Sequence, residues 1–376
     1  LDFNGKVKPG PLEIGFDYSY IIPATVDRVP SVWVENDKVP NLDPADPIIV
    51  SYINNISEEP TGLERPDLLI QGADKQHSGT IINGISRIGY MKGGHSARFK
   101  DEELATKVVA KSVEYIESHK DEPFFLSVGL FEPHVPRVAE PPFVGTSQCG
   151  VRGDVIHQVD WQVGEIMKTL DRLDLAKNTI IIFSSDNGPI LFDGYYDGSV
   201  EDLNGHQPAG KLRGSKYLVF EGGCRVPFIV RWPAVVPRGA VTPALCSQVD
   251  LMATIAAATG LNLPPDTAHD SHNLLPVWKS PDSPSPRRTI VHSTNASGYA
   301  VRHDRWLLVA AKTGAVSRVP EGYDAANGYT ANDQPGELYD LAADLGQRRN
   351  LYGTKPGKVS ELQALLAQVR AKGQVR

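Results

Sequence analysis

Two continuous apolar runs constrain this chain most: PFFLSVGLF at residues 123–131 and TIIIFSS at residues 179–185. Each follows an amphipathic helical pattern, and each ends in polar residues. An apolar run without polar alternation is the mark of a strand buried on both faces, which needs helices to cover it. The helical pattern over residues 101–120 supplies one cover. It opens on acidic residues and closes on His119-Lys120, as the helix dipole favours, with Leu104, Val108, Val109 and Ile116 on one face. Residues 154–173 supply another through Val159, Val163, Ile166, Met167, Leu170 and Leu173. A third apolar run, VPFIVRWP at 226–233, precedes a short helix predicted from Asp250 to a closing Gly260. This alternation predicts an α/β fold, a mainly parallel sheet sandwiched by helices.

Two other regions read differently. Residues 1 to about 100 hold short apolar pieces interrupted by Pro and Gly and predict a long excursion with a few short strands. After SPDSPSPRR (280–288), the segments TIVHST, YAVRHDRWLLVAA and GELYDLAAD predict short antiparallel strands, and VSELQALLAQVRAKG a closing helix. The expected division is a larger domain over 1–285 and a smaller C-terminal antiparallel-sheet domain over 286–376, the latter without a catalytic group.

Composition narrows the functions. The 376 residues carry a net charge of −7 and no Lys/Arg run, so there is no electrostatic footprint for nucleic acid. An anionic substrate must be drawn in by a few placed cations. No apolar stretch approaches the roughly 18 residues of a membrane span. The 34 glycines and 29 prolines predict long shaped loops, where sites tend to be built. Cys149, Cys224 and Cys246 form neither a CxxC pair nor a zinc pattern.

Ligands in an open α/β sheet sit beyond the carboxyl ends of its strands. The first run leads into Glu132-Pro133-His134-Val135-Pro136, the second into Asp186-Asn187-Gly188-Pro189. Asp186 and Asn187 offer adjacent side-chain oxygens, which suit a hard cation such as Ca²⁺ or Mg²⁺; the same tetrapeptide also suits a plain turn. His134, between two prolines, can donate to an oxyanion or pass a proton to a leaving group; a structural or exposed histidine is the alternative. Lys216, in a glycine-bounded loop ahead of an apolar strand, can act as a point charge on sulfate or phosphate. Arg225 reads either as an anion ligand or as an ion-pair partner of Glu221, and His206 either as a substrate contact or as an exposed loop histidine. His134 and Asp186 are expected to face one cleft with Lys216 at its rim.

In order along the chain, strand-EPHxP, strand-SDNGP and G-x-K-x4-EGG-x-R-VP resemble the type I sulfatases, the formylglycine-dependent branch of the alkaline-phosphatase-like superfamily. GPLEIGFDYSY, RIGYMKGG and GELYDLAADLGQRRNL extend the resemblance over essentially the whole chain. The resemblance implies a sulfuric ester hydrolase acting on a small aryl or sugar sulfate. Asp186 and Asn187 would hold part of a Ca²⁺ site. Lys216 and His134 would contact the sulfate, with His134 as proton donor and His206 a further substrate contact. In that family the nucleophile is the hydrate of a formylglycine made from a C/S-x-P/A-x-R motif. Such enzymes are commonly exported, so a periplasmic or secreted location is expected.

The chain departs from the family pattern in one respect. No C/S-x-P/A-x-R motif occurs, nor an Asp-Asp pair to complete the metal site, nor a G-K-W-H-type segment. With Leu1-Asp2-Phe3 at its start, the expectation is an N-terminally truncated chain lacking on the order of a hundred residues. A polypeptide of these residues alone is then expected to be inactive. Two alternatives stay open: a phosphodiesterase or phosphonate hydrolase of the same superfamily, and a non-catalytic protein binding Ca²⁺ and sulfated glycans. Neither the particular sulfate ester nor the oligomeric state is readable from the sequence.

Overall fold

The computed structural model describes residues 1–294, 298–311 and 323–375. They fall into two compact units, one of Leu1–Asp174 with Leu191–His206, the other of Leu175–Ile190 with Gln207–Arg376.

In the first unit the N-terminal hundred residues form the expected excursion. Its strands are two or three residues long and pair antiparallel, Tyr20–Ile21 with Val34–Glu35 and Ile49–Ser51 with Tyr90–Lys92. Val29, Val32, Val34, Ile48, Ile82 and Met91 form their common core. Helix α1 (Leu104–Ser118) is preceded by a 3-10 turn over Asp101–Glu103 and buries Leu104, Val109 and Ile116. Helix α2 (Gly150–Arg172) starts four residues earlier than its apolar pattern alone indicates. Its buried side also carries polar residues, Arg152, Gln158 and Gln162. Buried Arg87 ties the excursion to the start of α1, donating to Asp101 (2.6 Å) and to the Val26 carbonyl (2.6 Å).

Residues 123–131 depart from expectation. They carry no strand pairing, and their exposure alternates residue by residue, with Phe125 66% exposed. The apolar run therefore packs with the two-residue period of an extended chain, one face inward.

In the second unit, strands β1 (Ile181–Ser184) and β2 (Phe228–Arg231) pair antiparallel, Phe183 opposite Ile229. Ile182, Phe228 and Val230 pack on Leu274, Leu275 and Trp278, while Ile229 points outward. Helix α3 (Leu251–Thr259) closes on Gly260 in the left-handed conformation (φ 73°), as expected for a C-terminal glycine. Strands β3 (Thr289–Ser293), β4 (Tyr299–His303), β5 (Trp306–Val309) and β6 (Glu337–Asp340) form one antiparallel sheet in chain order. Helix α4 (Pro356–Lys372) buries Val359, Leu362 and Leu366 against it. Every strand-to-strand pair among the described residues is antiparallel, so the expected mainly parallel sheet does not show here. Apolar content reports how deeply a strand is buried; partner and direction are set by long-range contacts that it does not encode.

One buried ion pair locks the second unit. Asp250, fully buried, accepts from Arg287 Nε (2.9 Å) and Nη2 (2.6 Å), and from the amides of Ser247 (2.8 Å) and His272 (2.8 Å). Arg287 Nη1 also holds the Thr289 carbonyl at the start of β3 (3.1 Å). Replacing Asp250 by Ala leaves a buried guanidinium without its partner, which costs about 3–5 kcal/mol. Urea unfolding should show that loss as a lower midpoint, and an unchanged midpoint would refute this role.

Candidate active site

The turn that ends β1 is held by its own side chains. Asp186 Oδ1 accepts from the Asn187 amide (2.9 Å), and Asn187 Nδ2 donates to the Gly188 carbonyl (2.9 Å). Gln248 donates to Ser184 Oγ (3.0 Å) and to the Ser185 carbonyl, clamping the strand end from outside. Turn and ligand readings are compatible, because the turn uses only one polar atom of each side chain. Among the described residues, Asp186 Oδ2 and Asn187 Oδ1 have no hydrogen-bond partner.

The Lys216 loop is laced onto this turn by backbone bonds. The Lys216 amide donates to the Pro189 carbonyl (3.0 Å), the Gly188 amide to Gly223 (2.9 Å) and the Gly222 amide to Arg213 (2.7 Å). These bonds require chains to cross without side chains between them. A Cβ on Gly188 would lie 1.8 Å from the Gly222 carbonyl oxygen, and one on Gly223 would lie 2.2 Å from that of Leu218. Here the physical need for the Glu221-Gly222-Gly223 sequence is visible. Glu221 is buried and takes Arg302 Nη1 at 2.9 Å, with Arg225 Nη1 at 3.7 Å. Arg225 is therefore an ion-pair partner of Glu221, one of the two roles the sequence allowed.

His134 belongs to the first unit. Its Nδ1 donates to the Val135 carbonyl (2.6 Å), which fixes the tautomer of the neutral ring with the proton on Nδ1. The preceding Glu132 is structural, its two oxygens accepting from Gln158 (2.7 Å) and Gln162 (2.9 Å) of α2. Phe131, Glu132, His134 and Pro136 line a small pocket with Val26 and Asp101. Beside it, buried His77 bonds Asp74 through Nδ1 (2.7 Å) and turns Nε2 toward Asp27 (3.7 Å). Burial alone would raise the Asp27 carboxyl, but neighbouring His77 and Thr25, with the nearby charges of His134 and Arg28, hold it below the usual carboxylate range. His206 also lies in the first unit, exposed, its amide on the Leu203 carbonyl (2.8 Å).

The structure thus brings Asp186, Asn187 and Lys216 together in the second unit and places His134 and His206 in the first. Gln248, Asp27 and His77 were not singled out from sequence. Gln248 lies more than 60 positions from its partners, and Asp27 and His77 sit in the irregular excursion, without a periodic pattern to mark them.

The donor chemistry at Asp186 and Asn187 fits a hard cation: two unpartnered oxygens, carboxylate and amide, at an exposed strand end. They are two of the 6–8 oxygens that Ca²⁺ takes, and no cluster of three or more His, Cys, Asp or Glu with metal-site geometry occurs among the described residues.

Comparison with known proteins decides the family. The sulfatase family profile matches residues 44–261. The N-acetylgalactosamine-6-O-sulfatase of Bacteroides thetaiotaomicron is 46% identical over 375 residues, 99% of this chain and 71% of that one. This chain belongs to the sulfatase family. Human N-acetylgalactosamine-6-sulfatase is 39% identical over 155 residues, 41% of this chain and 28% of that protein. A solved Bacteroides thetaiotaomicron structure, described under metabolism of multiple glycosaminoglycans, superposes with a TM-score of 0.90 at 46% identity, covering 98% of this chain and 76% of that chain. The matched relatives that bear names are sulfuric ester hydrolases.

For this sulfatase, the glycine crossing makes a direct prediction. Gly188→Ala forces its methyl group into the Gly222 carbonyl, and overpacking of this kind costs typically about 1–3 kcal/mol. Denaturant unfolding should register that loss. A variant as stable as the parent would show that the turn and the Lys216 loop are not held by this contact.

Proposed function

We propose that this protein hydrolyses O-sulfate esters of a sugar, with 6-sulfated N-acetylgalactosamine as the leading substrate. The observation that carries the reading is the backbone lacing of the Lys216 loop onto the Asp186-Asn187 turn, which brings the segment bearing a cationic side chain beside the one bearing two hard oxygen donors. The 46% identity to an N-acetylgalactosamine-6-O-sulfatase along nearly the whole chain supports the choice of substrate.

In this reading Asp186 Oδ2 and Asn187 Oδ1 hold part of a calcium site. The Lys216 ammonium binds sulfate oxygens as a point charge and offsets the charge that builds on them in the transition state. His134, its Nδ1 committed to Val135, delivers a proton from Nε2 to the departing sugar oxygen. His206 contributes to binding the sugar. When bound, calcium withdraws charge from the sulfate, and a formylglycine hydrate supplies the nucleophile. No C/S-x-P/A-x-R motif lies in these 376 residues, so we place the formylglycine precursor in a segment outside them.

Two measurements test this. Calorimetric titration of the 376-residue chain should detect weak calcium binding or none, because two side-chain donors fall short of a full shell. A longer version carrying the motif, made in a host that generates formylglycine, should release sulfate from 6-sulfated N-acetylgalactosamine. In that version Lys216→Ala and Asp186→Ala should each lower kcat by about 10²- to 10³-fold, as when one charge-stabilising group is removed. Brisk sulfate release by the 376-residue chain would overturn the placement of the nucleophile.

A further inference from the structure

Arg152 lies in the first turn of α2 and is 4% exposed. Among the described residues it makes no hydrogen bond and no ion pair, and its Nε is sealed from solvent without a partner. Two carboxylates nearby, Asp154 and Asp197, are already engaged. Asp154, two positions on, spends both oxygens on the amides of Gly145 (2.8 Å) and Ser147 (2.8 Å). Asp197 is taken by Arg137 Nη1 (2.6 Å), and Arg137 also holds Ser199 Oγ (2.7 Å).

Two buried guanidinium groups, Arg152 and Arg137, therefore lie within electrostatic reach of Asp197, and Arg137 bonds it. Burial first, and then the charge of Arg137, push Arg152 down to about 10, against a smaller opposing pull from Asp197. It stays charged at neutral pH. An uncompensated buried charge is strongly unfavourable. The planar fork of arginine matches the oxygens of a carboxylate or sulfate, and the first amides of a 23-residue helix add attraction of the same sign. The pair also adjoins the catalytic loop, since Arg137 Nε donates to the Pro133 carbonyl (3.0 Å), one residue before His134.

We infer that Arg152 is the seat of an anion site, taking a carboxylate or sulfate group of an acidic sugar chain. The inference rests on the sulfatase reading for its substrate, while the anion site itself stands on Arg152 alone. The oxyanion has two sources, an acid group of the substrate or free sulfate, and the probes separate them.

The test is thermal unfolding of the 376-residue chain in sodium sulfate, sodium glucuronate and sodium chloride at matched ionic strength. Parent and Lys216→Ala proteins should both gain about 3 °C in sulfate or glucuronate over chloride, the shift of a ligand that binds only the folded state. Arg152→Gln and Arg152→Met should lose that gain. A gain with glucuronate assigns the position to a substrate carboxylate, whereas a gain with sulfate alone assigns it to a sulfate group. If either variant fails to fold, protection of Arg152 from phenylglyoxal by the same anions, located by peptide mapping, gives the same readout in the parent. No gain in the parent, an equal gain in the Arg152 variants, or no protection of Arg152 overturns the site. A gain lost only in Lys216→Ala assigns the anion to Lys216 and likewise overturns it. Absence of sulfatase turnover in the longer version, with the Arg152-dependent gain intact, would sink the substrate reading and leave the anion site.

Discussion

The second unit's site depends on backbone running against backbone. Gly188 meets Gly222 and Gly223, and these meet the 213–218 loop, at separations that admit no side chain. The bonds formed there, Gly188 to Gly223 and Lys216 to Pro189, are main-chain bonds and so independent of side-chain rotamers. A lysine has a long, flexible stem, and ordering it costs conformational entropy. Fixing its backbone removes part of that cost in advance and leaves the ammonium a short range to search. The same crossing carries Glu221 into the interior, where Arg302 at 2.9 Å and the Gln347 side chain on its amide (2.9 Å) anchor it to the C-terminal sheet and its following loop. The sheet that lacks a proposed catalytic residue thus steadies the loop that carries one.

The first unit positions His134 by a different device. Its loop seats Val135 in a small core with Ile85 and Tyr195 and is also held by polar side chains from α2 and from the excursion. Gln158 and Gln162 fix Glu132, Gln158 also accepts from the Glu140 amide (2.8 Å), and Arg137 fixes the Pro133 carbonyl. Such networks define a geometry only when every member is satisfied. Arg152 Nε and Gln162 Oε1 are the atoms of this face left buried without a partner, and of the two only the arginine carries a charge.

The helices were legible from the sequence because their information is local. Leu104, Val109 and Ile116 mark the buried face of α1, and the glycines at 260 and 373 mark helix ends, both left-handed in the structure (φ 73° and 70°). The C-terminal strands were legible too: the segments after SPDSPSPRR read as short antiparallel strands, and β3 to β6 form one antiparallel sheet. Pairing was not legible. Residues 123–131 and 181–184 are similarly apolar, yet the first has no ladder partner and the second pairs antiparallel with a strand more than 40 residues away. Of the site, Lys216 and the Asp186-Asn187 turn were readable through glycine spacing, a local backbone requirement. Gln248 and the Asp27–His77 pair were not, because what recruits them is proximity in space.

Charge placement bears on how the two proposed anion contacts, Lys216 and Arg152, would act. The chain is acidic overall, at −7, so its long-range field does not favour a polyanion. Screening limits such a field to about 8–10 Å at physiological ionic strength, which leaves recognition to cations in contact with the ligand. Lys216 is half-buried in a loop fixed by backbone bonds, and Arg152 is sealed at a helix start. At both positions reduced solvent exposure strengthens the attraction that bulk water would weaken.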